Sequence, residues 1–197
     1  MIDRTALITL TVIYLFTFIL RNIAVGNRTG QPVRARDGLV FFSIVLSSLC
    51  FFVSIFSTAD EWYHLMGALL FLRLPLISWI GFLLFAASIV LGWIISGQLK
   101  DAWRVGVHND QNTQLIKEGI YAHVRNPYFM TYFMMYFSLW LIRPSVALFV
   151  LITATVTVFH RMVLKEEKHL LNQHGKTYTA YKAATGRYLP RFGKNQT

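Results

Sequence analysis

Tyr128-Phe-Met-Thr-Tyr-Phe-Met-Met-Tyr-Phe-Ser-Leu-Trp-Leu-Ile142 runs through Arg143-Pro144 into Ser145-Val-Ala-Leu-Phe-Val-Leu-Ile-Thr-Ala-Thr-Val-Thr-Val-Phe-His-Arg-Met-Val163. This stretch decides the fold. Two apolar runs stand back to back with almost no loop between them. A helix needs about 20 apolar residues to cross the roughly 30 Å hydrocarbon layer of a bilayer. Inside lipid, backbone polar groups must be satisfied within the segment, so long apolar runs read as helices. The spacing therefore predicts a tight helical hairpin. Pro144 is placed at the start of its second helix, where a missing N–H costs nothing. Both runs are short and would reach membrane thickness by extending into flanking polar residues.

Outward from the hairpin, three more runs have the length of a span: residues 5–25, 38–57 and 76–96. The predicted fold is an all-α integral membrane bundle of about five transmembrane helices. Residues 64–74 are apolar but too few to cross, which predicts an interfacial or re-entrant piece. Composition agrees. More than half of the residues are apolar and 14% are charged, against about a quarter in a soluble domain. The first run follows Arg4 and leads into Arg21-Asn22 with no small-residue cleavage site, so it reads as a retained helix rather than a signal peptide.

The net charge of +10 is arranged in a way that explains it. Sixteen of the 19 Lys and Arg residues fall in residues 21–37, 97–127 and 161–197. The other three are Arg4, Arg73 and Arg143. Basic residues collect on the cytoplasmic side. Five spans then predict a multi-pass protein with its N-terminus outside and its C-terminus in the cytoplasm. Membrane lipids with anionic headgroups are the expected partner of this charge, not nucleic acid. The chain reads as one membrane domain, 1–197. Residues 1–96 hold three helices, and residues 97–197 hold the polar loop, the hairpin and the basic tail.

Several chemistries lack their residues. Cys50 is the one cysteine, so no internal disulfide and no cysteine metal site can form, and it reads as a packing residue. The six histidines show no HxxHH cluster, and no metal is expected. There is no GxGxxG after a strand, no P-loop and no GxSxG. Three motifs remain. Arg125-Asn126-Pro127 stands where the polar loop enters the hairpin. Asn126 is a good N-cap and Pro127 fits a first helical turn, and a helix N-terminus beside Arg125 also attracts anions. Glu166-Glu167 places two carboxylates at the end of the last span, where a cation or hydroxyl groups could use them. Gln114-Leu-Ile-Lys-Glu-Gly-Ile-Tyr121 could wrap a flat ligand.

These motifs, together with Lys165-Glu-Glu167, Gly175, Tyr178, Tyr181 and Thr185-Gly-Arg-Tyr-Leu-Pro190, resemble in order and spacing the isoprenylcysteine carboxyl methyltransferase and phospholipid methyltransferase group of membrane enzymes. The resemblance covers roughly residues 97–192. It implies S-adenosylmethionine as methyl donor, at the cytoplasmic end of the last helices. It implies that Thr113, Gln114, Leu115, Ile116 and Tyr121 line the cofactor. Asn126, Pro127, Tyr128 and Phe129 would lie beside it at the helix entry, and Glu166 would be its acidic contact. The expected acceptor is lipidic or membrane-partitioned: a carboxylate such as isoprenylcysteine or another prenylated molecule, or an amine or thiol. Arg125 and Glu167 are the candidate catalytic residues.

Two positions depart from the pattern. Asn126 stands where the family has His and cannot change charge near neutral pH. Met162 stands where the family has a substrate-contacting Arg, leaving neighbouring Arg161 as the candidate substrate contact. A carboxylate acceptor needs no general base, only close approach and exclusion of water. Two other classes share parts of the pattern. One is an NADPH-dependent membrane sterol or enone reductase, for which Lys182, Arg187 and Arg191 would serve the 2′-phosphate. The other is a non-catalytic membrane scaffold or transport subunit.

Overall fold

The structure is a computed structural model that describes residues 4–107 and 114–191. Among these residues six α-helices form: α1 (Arg4–Thr29), α2 (Gly38–Phe56), α3 (Asp60–Leu65), α4 (Pro75–Leu99), α5 (Pro127–Ile142) and α6 (Val146–Ala184). The described residues contain no strand, only three isolated backbone bridges. The five long helices coincide with the five apolar runs. Four of them are long and apolar enough to span a membrane on their own. The 16-residue α5 is only about 24 Å long. It is the central helix, with Tyr132, Met135, Tyr136, Leu139 and Ile142 all buried. Ile19, Phe41, Phe52, Leu83, Val90 and Val150 point outward and stay exposed, an apolar perimeter that lipid must cover.

The helix pair α4–α5 makes the closest packing. A Cβ on Gly81 would lie 2.8 Å from the Ser138 carbonyl oxygen and 2.9 Å from Leu141 Cβ. Ser78 donates to the Ile142 carbonyl across the same seam at 3.1 Å. Between lipid-embedded helices, small residues permit the backbone approach that supplies van der Waals attraction. Gly81→Leu should therefore cost about 3 kcal/mol through overpacking, read as a lowered thermal midpoint in detergent. An unchanged midpoint would show that the seam yields.

The hairpin turn differs in detail from the sequence reading. Ser145, not Pro144, begins the second helix: its Oγ accepts from the Leu148 N–H at 3.4 Å. Pro144 lies outside the helix, and its carbonyl accepts from the Tyr63 hydroxyl at 2.8 Å and the Leu69 N–H at 2.9 Å. Residues 58–74 thus clasp the turn. Arg143 lies over the Tyr63 ring at 4.9 Å and donates to the Thr58 carbonyl, and Asp60 pairs with both Arg73 and Arg143. Leu65, Leu70, Phe71 and Leu74 of this segment stay exposed, as an interfacial piece requires.

At the opposite, basic end, α1 continues past the apolar run until Gly30, whose φ of 64° ends it. Arg21 is consequently a helix residue rather than a loop residue. Its guanidinium stacks over Trp93 at 4.7 Å and its Nε donates to Ser96 Oγ at 3.2 Å. Asp37 caps α2 by accepting from the Leu39 N–H, and also pairs with Lys165 of α6 at 2.6 Å. The apolar part of α6 ends near Val163. Lys165, Glu166, Glu167 and Lys168 follow, so this part of the helix lies beyond the span. Gly175, at φ 49° and ψ −120°, breaks the helix and redirects its last turns toward the bundle.

Candidate active site

The residues at the basic end are organised around one carboxylate. Glu167 is buried, with 5% exposure, and accepts four hydrogen bonds. Arg125 Nε, Asn126 Nδ2 and Arg187 Nε each donate to Oε1 at 3.1 Å, and an Arg187 terminal nitrogen donates to Oε2 at 2.9 Å. Burial pushes this carboxyl up, but Arg187 and Arg125 outweigh burial and hold it below the usual carboxylate range. The Glu167 bonds also raise the Arg187 guanidinium.

Backbone bonds reinforce the cluster. The Arg125 N–H donates to the Gly186 carbonyl at 2.9 Å and the Asn126 N–H to the Arg187 carbonyl at 3.0 Å. Arg125 also donates from its guanidinium to the carbonyls of Lys182 and Thr185. The strap after α6 is thus locked onto the entry of α5. Beyond it, the Tyr188 hydroxyl meets His160 Nδ1 at 2.7 Å. The predicted N-cap is only half realised. Asn126 occupies the cap position and Pro127 opens α5, but the Asn126 side chain caps nothing and turns to Glu167 instead.

Glu166 is the opposite case. Neighbouring on the helix, it points away from the arginines, and among the described residues it has no hydrogen bond or ion pair. Burial first, and the Glu167 charge second, push its carboxyl up to about 7. It stands in the wall common to two cavities. The smaller, about 70 Å³, is lined by Gln114, Leu115, Ile116, Tyr121, Asn126, Glu166, Leu170, Tyr178 and Tyr181, among others. The larger, about 200 Å³, reaches into the bundle between α1, α2, α5 and α6. Tyr14, Phe18, Ser43, Ser47, Phe51, Tyr128, Phe129, Tyr132, Phe159 and Met162 are in its wall. Leu99, Tyr121, Arg125, Asn126 and Glu166 line both.

Tyr121 adds a second unmatched polar group at this junction. Its hydroxyl is buried without a hydrogen-bond partner, and burial raises its pKa well above the ordinary tyrosine value. The Tyr178 hydroxyl in the smaller cavity is likewise buried and unpartnered. Buried polar atoms of this kind cost free energy unless a ligand completes them. Tyr181 is satisfied, donating to the Tyr121 carbonyl at 2.7 Å.

The structure gathers most of the residues singled out from the sequence and sorts them. Gln114, Leu115, Ile116, Tyr121, Asn126 and Glu166 line the smaller cavity, whereas Tyr128 and Phe129 line only the larger. Pro127 and Glu167 line neither, and Arg125 reaches both while held by Glu167. Arg161 is exposed and lines neither cavity; Met162 takes the inward position. Thr113 lies outside the described residues. Leu170, Tyr178 and Tyr181 were not foreseen as site residues, and Arg187 was considered only for the phosphate of a reductase, not as a partner of Glu167. The tyrosines' place in the sequence pattern after Gly175 was the available signal.

The fold is that of a multi-pass helical membrane protein with two adjoining cavities at one end of its bundle. A comparison with models of protein families matches phospholipid methyltransferase over residues 76–177, just over half of the chain. The chain belongs to the phospholipid methyltransferase family, and is by class a membrane methyltransferase. A comparison with curated proteins gives no match.

Proposed function

We propose that this protein transfers a methyl group from S-adenosylmethionine to a membrane-partitioned acceptor, with residues 97–197 forming the catalytic part. The single observation that carries the reading is the wall shared by the two cavities, where Glu166 and Tyr121 present unmatched polar groups. The smaller, more polar cavity suits part of a water-soluble donor, and the larger apolar one suits a lipidic acceptor. When bound, S-adenosylmethionine supplies an activated methyl group on a cationic sulfur. Glu166 fits such a cation, being a carboxylate without a counterion. Gln114, Leu115 and Ile116 cover the donor, and the Tyr121 and Tyr178 hydroxyls complete its polar contacts. Asn126 is held by Glu167 and acts as a fixed dipole rather than a proton carrier. The protein contributes orientation and a dry junction, which can supply several kcal/mol of the barrier reduction.

The basic end faces the cytoplasm on this reading, with the N-terminus outside, as the Lys and Arg distribution indicates. NADPH suits the site less well, because Arg187 is bound to Glu167 and Arg191 donates to the Ala183 carbonyl. Calorimetric titration of the purified protein tests the reading. S-adenosylhomocysteine should bind saturably and NADPH should not, and Glu166→Gln should weaken S-adenosylmethionine more than S-adenosylhomocysteine, whose sulfur is uncharged. NADPH binding without S-adenosylhomocysteine binding would replace this reading with a reductase.

A further inference from the structure

Tyr121 owes its place at the cavity junction to a short 3₁₀ turn, Gly119–Ala122. The turn closes on itself. The Tyr121 N–H donates to the Glu118 carbonyl at 3.1 Å, and the His123 N–H to the Ile120 carbonyl at 3.1 Å. Two regions of the fold then grip it. On the α6 side, the Tyr181 hydroxyl donates to the Tyr121 carbonyl at 2.7 Å and the Gly186 N–H to the His123 carbonyl at 3.1 Å. On the α4 side, the Ile120 N–H donates to Gln98 Oε1 at 3.1 Å.

Gln98 and the turn fit each other closely. Gly119 has a φ of 59°, a backbone conformation that strains L side chains. A Cβ there would come within 2.4 Å of Gln98 Oε1 and 3.0 Å of its Cδ. Glycine thus supplies both the backbone conformation and the space that the Gln98 amide occupies. Gln98 is half-buried in the last turn of α4 and lines neither cavity, but Leu99 beside it lines both. A backbone N–H shielded from water costs free energy when its acceptor is removed, so the turn would shift to find another.

We propose that Gln98 is a positioning residue of the donor site: its side-chain carbonyl fixes the Gly119–Ala122 turn and thereby sets the Tyr121 hydroxyl at the junction of the two cavities. The proposal rests on the methyltransferase reading above. Gln98 does not touch the donor. It acts through the turn, and by it α4, which carries none of the motifs picked out from the sequence, takes part in the site. The Tyr121 hydroxyl is buried without a protein partner, so its position decides whether a ligand can complete it.

The test uses full-length protein in nanodiscs. Hydrogen exchange over residues 115–124 reads the turn without any ligand. Gln98→Leu should speed exchange of the Ile120 amide roughly tenfold, and Gln98→Glu, which keeps an acceptor oxygen, should not. Calorimetry with S-adenosylhomocysteine reads the site. Gln98→Leu should weaken binding roughly 3- to 10-fold, the range of one neutral hydrogen bond, and Gln98→Glu should restore most of the loss. In a Tyr121→Phe background, Gln98→Leu should have little further effect, because the hydroxyl it positions is gone. Should Gln98→Leu fail to fold, Gly119→Ala serves in its place, since its Cβ displaces the Gln98 amide. Wild-type protein that binds no S-adenosylhomocysteine sinks the methyltransferase reading, and this role with it. Wild-type binding together with unchanged exchange or affinity in Gln98→Leu, or equal losses in the two backgrounds, overturns the assignment of Gln98 alone.

Discussion

Replacing Glu167 by alanine should be the most destabilising single change at the basic end of the bundle. The substitution strands Arg125, whose side chain is 8% exposed, and removes the acceptor of the Asn126 amide. Breaking a buried pair by deleting one partner costs about 3–5 kcal/mol, because the other charge is left without compensation. Arg187 is one-third exposed and can turn to water, which argues for the lower end, about 3 kcal/mol. For a domain of this size the thermal midpoint should fall by roughly 6–12 °C. A double-mutant cycle separates this clamp from a general packing defect. Once Glu167 is alanine, Arg187→Ala should cost much less than it does alone. Additive losses would mean that the two side chains do not act as a pair. S-adenosylhomocysteine binding should also suffer, because the clamp fixes Asn126 and the strap that carries Arg187.

Glu166→Gln should change ligand binding rather than stability. With its carboxyl raised to about 7, Glu166 is mostly protonated at pH 6 and about half ionised at pH 7 in the free protein. A cationic donor favours the ionised form, which lowers the pKa in the complex. Affinity for S-adenosylmethionine should therefore rise as pH increases from 6 to 7, by up to roughly tenfold per pH unit, and level off above. Binding at pH 6 should release a proton, visible in calorimetry as a dependence on the ionisation enthalpy of the buffer. In Glu166→Gln the slope and the proton release should both vanish, and affinity should drop about 10- to 100-fold, the range of a charge-assisted contact. Parallel pH curves for the two proteins would remove Glu166 from the donor site.

The two adjacent glutamates also show where sequence reading stops. From composition alone they are one acidic pair at the end of an apolar run. The fold makes Glu167 the anchor of three side chains and leaves Glu166 bare in a shared cavity wall. Adjacent residues on a helix point about 100° apart, and which direction meets arginine depends on where residues 42 positions earlier and 20 later come to lie. The choice between Arg161 and Met162 as the inward residue followed from the same geometry.

The number and placement of the membrane helices were determined by sequence because their cause is local. Lipid requires about 20 apolar residues in a row and an internally bonded backbone, and each run satisfies that without reference to its neighbours. Gly30 ending α1, Pro127 opening α5 and Gly175 bending α6 are local in the same sense. The cavities, the bare carboxylate and the strap locked by Arg125 to the carbonyls of Lys182 and Thr185 were decided only by tertiary structure. Each depends on which helix faces cross, and those crossings follow from side-chain volumes and polar partners far apart in the chain.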